Sequence, residues 1–362
     1  MNKKIDNRIG WIRNIEKIKR KDAKTYIIEY EIATECRIAG VLNYINGSIL
    51  CGPLTMEKDQ NGLYHYSLKI RYYQNEEFPQ SDERNKKGYY FKDGIVGEIV
   101  SIFSLYFRCR FYLLATYNGE LTENGLRIKI ENVFIYKPCS QFIHPQIFSS
   151  NNKNFAKGLS EFLDLIKLLK EKYHQQFILS CYHYAQSLKE VGIDSEMIFI
   201  RLVSSIESLS KFIELNKKDD LLKGKNLKDV IKKEEFSKEI SKELEKIFET
   251  RKAKLKFINF IIENSSRCLK GGNYKAKHCK IKKEQLPKIL GAIYNARSGY
   301  LHSGESMYLS HIVKGEEKWD TDPTVGMFID NRFFPATQKL PYAYFFEGLV
   351  RCCLINFLKK NK

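Results

Sequence analysis

Hydrophobic and polar positions alternate along the first part of the chain in the way that is typical of half-buried strands. In Leu63–Tyr73 the large apolar and aromatic side chains occupy every second position, with polar side chains between them. Two further runs are β-rich, Lys24–Ile32 and Cys36–Leu42. Asn118–Gly119 is a typical hairpin turn, because both residues tolerate positive φ. A helical stripe from Ile95 to Phe107 interrupts the strands, so residues 1–148 are predicted to form an α+β domain.

Beyond a polar stretch at Ser149–Lys153, the apolar positions recur every three or four residues, which is typical of amphipathic helices. These stripes predict an all-α, up-and-down bundle over residues 155–362. The predicted helices are Leu159–Leu169, Phe177–Leu188, Phe199–Ile213, Leu244–Asn264, Gln285–Leu301 and Tyr342–Leu358.

A Lys-rich insertion at about residues 215–283 interrupts the bundle and carries much of the chain's net charge of +18. Residues 217–283 contain 19 Lys and 2 Arg against 10 acidic residues. Such a surplus of cations indicates a polyanionic partner, for example RNA. The alternative is a genomic base-composition bias, since the chain has 46 Lys but only 15 Arg and phosphate-binding surfaces favour Arg. Charge alone leaves both interpretations open.

Neither targeting segments nor metal sites are indicated. The amino-terminal residues lack the apolar core of a signal peptide, and no window reaches about 18 uninterrupted apolar residues. We therefore expect a cytoplasmic protein without a membrane span. The nine cysteines are scattered, which favours neither a disulfide framework nor a zinc ribbon. Cys268, His278 and Cys279 lack a fourth ligand, while Cys352 and Cys353 are expected in the core. No metal and no cofactor are expected.

Two charged residues depart from the apolar stripes. Arg297 follows Leu290 and Ile293 on one stripe, so that a guanidinium stands where a core residue is expected. A buried guanidinium is costly without a counter-charge or an open cleft. Glu207, on the flank of an earlier helix's stripe, is the expected counter-charge.

His302 follows Arg297 by five residues. In an unbroken helix this spacing corresponds to about 140° of rotation and about 7.5 Å of rise, so the two side chains would not meet. Gly299 and Gly304 bracket the histidine. Both allow the helix to unwind there, and Ser303 and Gly304 then act as a stop. The imidazole can turn back towards Arg297 only if the helix ends near Gly299.

The Arg297-x4-His302 pattern, followed by Ser-Gly-Glu, resembles the R-x4–6-H signature of HEPN domains in its Apea-like form. Arg201–Leu209 is similar to the "LE-x-L" helix of that branch, and Phe177–Leu188 resembles the helix that opens the bundle. The resemblance covers about residues 155–362. It implies a bundle of four or five helices that pairs with a second copy, so that two R-x4-H sites share one cleft.

The HEPN family contains many metal-independent endoribonucleases, which are frequent in toxin–antitoxin, CRISPR-associated and antiviral defence systems. It also contains members without nuclease activity. In the mechanism we expect, the RNA 2′-hydroxyl attacks the adjacent phosphate and leaves a 2′,3′-cyclic phosphate and a 5′-hydroxyl. His302 would transfer protons and Arg297 would bind the phosphoryl oxygens. Ser298 would orient the phosphate, and Glu207 would hold Arg297.

The sequence thus predicts an endoribonuclease effector of antiviral defence or toxin type, homodimeric through the HEPN domain. Its residues 1–148 would sense a trigger, such as a protein. The alternative is a nuclease-inactive HEPN module for nucleic-acid or protein binding and dimerisation. In that case the Arg297–Glu207 pair only closes the bundle, and His302 caps a helix end.

Overall fold

The structure is a computed structural model in which the chain divides into two compact units. Met1–Asp194 and Phe357–Lys362 form the first unit, and Ser195–Asn356 forms the second. The structure describes residues 9–74, 94–118, 128–131, 153–215, 221–222, 225–226, 237–266, 268–269, 280–307, 327–329, 332–334 and 340–362.

The first unit is built on a six-stranded antiparallel sheet with the strand order β2-β3-β4-β1-β5-β6. Its strands are β1 (Thr25–Thr34), β2 (Leu42–Tyr44), β3 (Ile49–Pro53), β4 (Tyr64–Tyr73), β5 (Tyr112–Asn118) and β6 (Ile128–Glu131). Buried and part-exposed residues alternate along β4 from Tyr66 to Tyr73, which confirms the strand predicted there. Helix α1 (Gly10–Ile18) packs on β4 and on helix α2 (Gly94–Phe107).

A buried carboxylate holds the beginning of α1. The N-cap residue Ile9 offers no side-chain acceptor, and the first N–H groups of a helix have no partner within the helix. Glu98 of α2 accepts both of the first two, from Gly10 at 3.0 Å and from Trp11 at 2.8 Å. This contact accounts for a charged residue on an otherwise apolar helix.

Helices α3 (Leu159–Lys167) and α4 (Glu171–Lys189) belong to the same unit as the sheet, and α4 packs against α2. Both helices fall within residues 155–362, the second domain that the sequence predicts. Most of the predicted boundary at residues 149–153 lies outside the described residues, so the domain limits 1–148 and 155–362 stay a prediction.

The second unit is mainly helical. Its helices are α5 (Ser195–Ser210), α6 (Lys238–Asn264), α7 (Leu286–Ser303) and α8 (Ala343–Lys360), whose last residues belong to the first unit. Helices α5, α6 and α7 pack on one another, and the rings of Phe199 and Phe346 stack at 5.4 Å. Two hairpins accompany the helices: β7 (Leu221–Leu222) with β8 (Lys225–Asn226), and β9 (Met327–Ile329) with β10 (Arg332–Phe334). A sheet followed by a mostly helical chain confirms the coarse prediction of fold class.

The strand predicted at Cys36–Leu42 is wrong for most of its length. Within that stretch only Leu42 belongs to a strand, and Ala39 makes an isolated bridge to Asn154. Gly40 has a positive φ of 74°, which interrupts extended pairing. The predicted Asn118–Gly119 turn extends beyond the described residues, although β5 and β6 pair on either side of it.

The second unit contains a disulfide between Cys268 and Cys352, which are 84 residues apart. The predictions that the cysteines form no disulfide and that Cys352 is an ordinary core residue are therefore wrong. Cys353 is buried as predicted.

The described residues contain neither a candidate metal site nor a candidate membrane span. In the described part of the chain, no group of three or more His, Cys, Asp or Glu side chains could hold a metal ion. His278 and Cys279 lie outside it. Over the same residues, none of the helices has the length and apolarity to cross a bilayer.

Candidate functional site

Helices α5 and α7 bring Glu207 and Arg297 together. Nη2 of Arg297 donates to Oε2 of Glu207 at 2.9 Å, and the two side chains are 20% and 26% exposed respectively. The buried stripe of α7 that precedes Arg297 includes Leu290 and Ile293. This stripe packs α7 into the unit and carries the guanidinium towards α5. The predicted contact between Arg297 and Glu207 is confirmed.

Tyr294 is a third member of this group, which the motif alone does not indicate. Its ring centroid lies 5.9 Å from Cζ of Arg297, within the range of a cation–π contact. Burial raises the pKa of Tyr294 to about 12, with a further contribution from its hydrogen bond to Glu207. The phenol therefore stays protonated and donates to the carboxylate. The three-residue spacing to Arg297, one helical turn, is the signal that could have identified it.

Arg297 retains unused hydrogen-bonding capacity. A guanidinium offers five N–H donors in one plane, and the Glu207 contact uses one of its terminal nitrogens. The buried Nε has no hydrogen-bond partner among the described residues. Glu207 therefore orients the guanidinium without saturating it, which leaves donors for an oxyanion such as a phosphate.

His302 does not lie just beyond the end of the helix, as the sequence predicts, but within α7. Helix α7 continues through Gly299 to Ser303. The predicted stop at Ser303 and Gly304 is therefore confirmed, and the expected end near Gly299 is wrong. Five residues along an unbroken helix separate Arg297 and His302 by about 140° around the axis, and they face different sides of α7. The imidazole is exposed, and it makes no hydrogen bond or ion pair within the described residues. Ser298, beside Arg297, is part-exposed.

The true end of α7 is Gly304, whose φ of 67° is left-handed. Its N–H donates to the carbonyl oxygen of Tyr300 at 3.1 Å. Glu196, in the first turn of α5, accepts from the Ser306 hydroxyl at 2.8 Å and from the Met307 N–H at 2.7 Å. Helix α5 therefore contacts the chain on both sides of His302, which fixes the helix end that carries the imidazole.

We expect opposite effects from alanine at the two glycines around His302. Gly304→Ala should destabilise the protein by about 1 kcal/mol, because a β-carbon disfavours left-handed φ. Gly299→Ala should leave stability unchanged or raise it, since alanine favours a helix interior by about 1 kcal/mol over glycine. An added β-carbon at Gly299 would lie 2.9 Å from Oε2 of Glu305, the end of a flexible side chain that can move aside.

Chemical denaturation of the two variants measures this difference. Gly304→Asn is the matched control, because asparagine tolerates the left-handed conformation better than alanine. Greater destabilisation by Gly299→Ala than by Gly304→Ala would mean that the helix is interrupted at Gly299 after all.

A second charged group lies on the sheet of the first unit, around His65. A lone histidine on the polar face of a strand is usually solvated, but His65 of β4 has two carboxylate partners. Nδ1 lies 2.7 Å from Oε1 of Glu31, and Nε2 lies 3.0 Å from Oδ2 of Asp59. Glu31 also accepts from the Tyr117 hydroxyl at 2.7 Å. Burial opposes protonation, but the two carboxylates outweigh it and raise the pKa of His65 above its usual 6.5.

We expect the His65 group to make the first unit more stable in weak acid than in weak base. Because the folded-state pKa is raised, its contribution is fully present below pH 6.5 and is lost as the pH rises through the folded value. Urea denaturation of the wild type and of His65→Gln between about pH 6 and pH 9 measures this. The stability difference between the two proteins should shrink with rising pH. A constant difference would show that His65 is not protonated in the fold.

Comparison with known proteins adds no relative. The chain matches no protein-family model, no curated protein and no solved structure. The resemblance to HEPN domains therefore rests on the residues of the motif and on the helix that carries Glu207.

Proposed function

We propose that this protein is a metal-independent endoribonuclease of the HEPN type, acting as an effector in antiviral defence or as a toxin. The observation that supports the proposal is the state of Arg297. Its guanidinium is part-exposed, is held by Glu207 at one nitrogen and has an unpaired Nε within the described residues. A bound phosphate would accept from the terminal donors that Glu207 leaves unused.

In this proposal Arg297 binds the scissile phosphate. The planar fork of donors matches two phosphoryl oxygens and stabilises the negative charge that grows on them as the 2′-hydroxyl attacks. Glu207 and Tyr294 act as positioning residues, because both contact the guanidinium and neither needs to touch RNA. Ser298 is proposed to orient the phosphate.

His302 is proposed to transfer the protons, since an imidazole can change charge near neutral pH. Arg297 and His302 face different sides of α7, so one chain alone does not direct both side chains at one phosphate. A homodimer, as the HEPN resemblance implies, would bring His302 of one copy to the phosphate held by Arg297 of the other. The exposure of His302 leaves it accessible for that role.

A cleavage assay in EDTA tests the proposal. The purified full chain is incubated with end-labelled single-stranded RNA and, as a control, with DNA of the same sequence. We expect cleavage of the RNA alone, because only RNA has the 2′-hydroxyl nucleophile. Cleavage of both nucleic acids, or cleavage that EDTA abolishes, would contradict the proposal.

The remaining parts of the proposal concern location and control. The protein is proposed to act in the cytoplasm, and residues 1–148 are proposed to receive a trigger, such as a protein, that sets nuclease activity. These proposals follow from the defence and toxin systems in which HEPN proteins are frequent. They also follow from the presence of a separate sheet-containing unit.

The second candidate is a nuclease-inactive HEPN module that binds nucleic acid or protein and dimerises. The separation of Arg297 and His302 around α7 favours it, as does the partial neutralisation of Arg297 by Glu207. Helix α6 carries both basic and acidic side chains, and Nζ of Lys252 lies 3.6 Å from Oε1 of Glu249. For this candidate, RNA binding should fall steeply with salt, and charge reversal in the Lys-rich insertion should weaken binding more than Arg297→Ala does.

A further inference from the structure

Two cysteines and a lysine meet at one end of the sheet in the first unit. Nζ of Lys153 lies 3.3 Å from Sγ of Cys36 and 2.7 Å from Sγ of Cys109. The two thiols also form a hydrogen bond with each other. Neither cysteine takes part in a disulfide, and both are buried, Cys36 with 6% exposure. Lys153 is part-exposed and borders the group.

The backbone holds all three residues in place. Cys36 follows the end of β1, and its carbonyl oxygen accepts from the Tyr66 hydroxyl at 3.1 Å. Cys109 follows α2 directly after Arg108, whose φ of 56° turns the chain sharply. Lys153 is fixed because its carbonyl oxygen accepts from the Ala39 N–H at 3.0 Å. The proximity of the sulfur atoms is therefore a property of the fold.

The surroundings of Cys36 and Cys109 shift the pKa values of the two thiols in opposite directions. The hydrogen bond from Cys109 and the nearby Lys153 ammonium lower the pKa of Cys36 to about 6, although burial opposes them. Burial raises the pKa of Cys109 above its usual value. Glu35 would disfavour a thiolate on Cys36, but it is paired with the guanidinium of Arg110. These surroundings favour a thiolate on Cys36 and a thiol on Cys109.

Two other cysteines of the same unit provide an internal comparison. Cys51 and Cys181 are completely buried, and burial raises the pKa of each thiol. Neither thiol contacts a lysine among the described residues. Because the thiolate is the reactive form of cysteine, these two should be inert under conditions in which Cys36 reacts.

We propose that Cys36, Cys109 and Lys153 form a peroxide-reactive site that closes a disulfide between the two cysteines. The Cys36 thiolate attacks one oxygen of a hydroperoxide, a sulfur–oxygen bond forms, and the oxygen–oxygen bond breaks. With hydrogen peroxide the leaving hydroxide takes up a proton and departs as water. The sulfur of Cys109 then attacks the Cys36 sulfenic acid, and the hydroxyl leaves with the Cys109 proton as a second water. Two thiols are oxidised by two electrons and one peroxide is reduced.

In this proposal Lys153 stabilises the negative charge on the reacting sulfur atoms. Its ammonium contacts both sulfur atoms and stabilises negative charge on each in turn. The resulting disulfide would join the end of β1 to the segment that follows α2. This site lies within the first unit and is independent of any ribonuclease activity.

Peptide mapping after peroxide treatment tests the site. The folded, full-length protein receives hydrogen peroxide with dimedone, a trap for sulfenic acids, and its remaining thiols are then alkylated. We expect a Cys36–Cys109 disulfide in the wild type and a dimedone adduct on Cys36 in Cys109→Ser. Serine keeps a hydroxyl donor beside Cys36, which makes it the conservative replacement. Cys51 and Cys181 should react at least about tenfold more slowly than Cys36.

Two variants of Lys153 measure how much its positive charge contributes to the oxidation of Cys36. Lys153→Met should slow oxidation of Cys36 several-fold, whereas Lys153→Arg, which keeps the charge, should stay near the wild-type rate. Circular dichroism before treatment checks that each variant is folded. If a variant is unfolded, the comparison of Cys36 with Cys181 in the wild type still decides. Equal reactivity of those two cysteines, or a disulfide that joins other partners, would overturn the proposal.

Discussion

His302→Ala will lose RNA cleavage by about 100- to 10,000-fold, the range that general acid–base groups contribute to catalysis. The fold should survive the change, because the imidazole is exposed and has no partner in the described part of the chain. Surface substitutions of this kind usually alter stability by less than about 0.5 kcal/mol. The measurement is the initial rate of RNA cleavage in EDTA, with thermal unfolding recorded on the same preparations.

Two further variants, Arg297→Lys and Lys288→Ala, are compared with His302→Ala. Arg297→Lys keeps the charge but loses the planar fork, so it should retain RNA binding and lose most of the cleavage rate. Lys288→Ala removes an exposed cation from the same helix and should leave the rate unchanged. If His302→Ala and Lys288→Ala cleave RNA equally well, His302 has no part in catalysis.

Reduction of the Cys268–Cys352 disulfide will lower the free energy of unfolding of the second unit by about 4 kcal/mol. The bond closes a loop of 84 residues, and a cross-link over so long a loop strongly restricts the unfolded chain. Because natural domains are stable by only about 5 to 15 kcal/mol, this is the largest stability effect we expect. Urea denaturation with and without dithiothreitol measures it.

The double variant Cys268→Ala/Cys352→Ala is the matched control. Its stability should equal that of the reduced wild type and should not respond to dithiothreitol. Mass spectrometry of the protein without reduction identifies the linked peptides directly. Two alkylated cysteines at these positions in the untreated protein would contradict the bond.

Periodicity along the chain was sufficient to predict most of the regular structure. The alternation of β4 and the stripes of α5 and α7 each concern one element, whose burial depends on local spacing. The contact between Arg297 and Glu207 was also predictable, because a guanidinium on an apolar stripe demands a nearby carboxylate. Whether these helices form a HEPN bundle cannot be derived from periodicity, which does not specify how helices are arranged.

The wrong predictions share a dependence on contacts between distant parts of the chain. Gly299 was expected to end α7, but the helix continues to a left-handed Gly304, and Glu196 of α5 binds the segment that follows. The partner of His65, Glu31, lies on another strand of the sheet, so the pattern along β4 alone does not reveal the contact. The Cys268–Cys352 bond joins residues whose separation in sequence shows no pattern.

The chemical nature of the RNA ends tests the central claim most directly. A short RNA that has been cut in EDTA by the purified protein is analysed by mass spectrometry, beside the same RNA with a single 2′-deoxy substitution at the cut site. Attack by the 2′-hydroxyl predicts a 2′,3′-cyclic phosphate and a 5′-hydroxyl, and no cutting at the substituted position. A 3′-hydroxyl with a 5′-phosphate, or cleavage of the deoxy-substituted RNA at that position, would contradict the proposed mechanism.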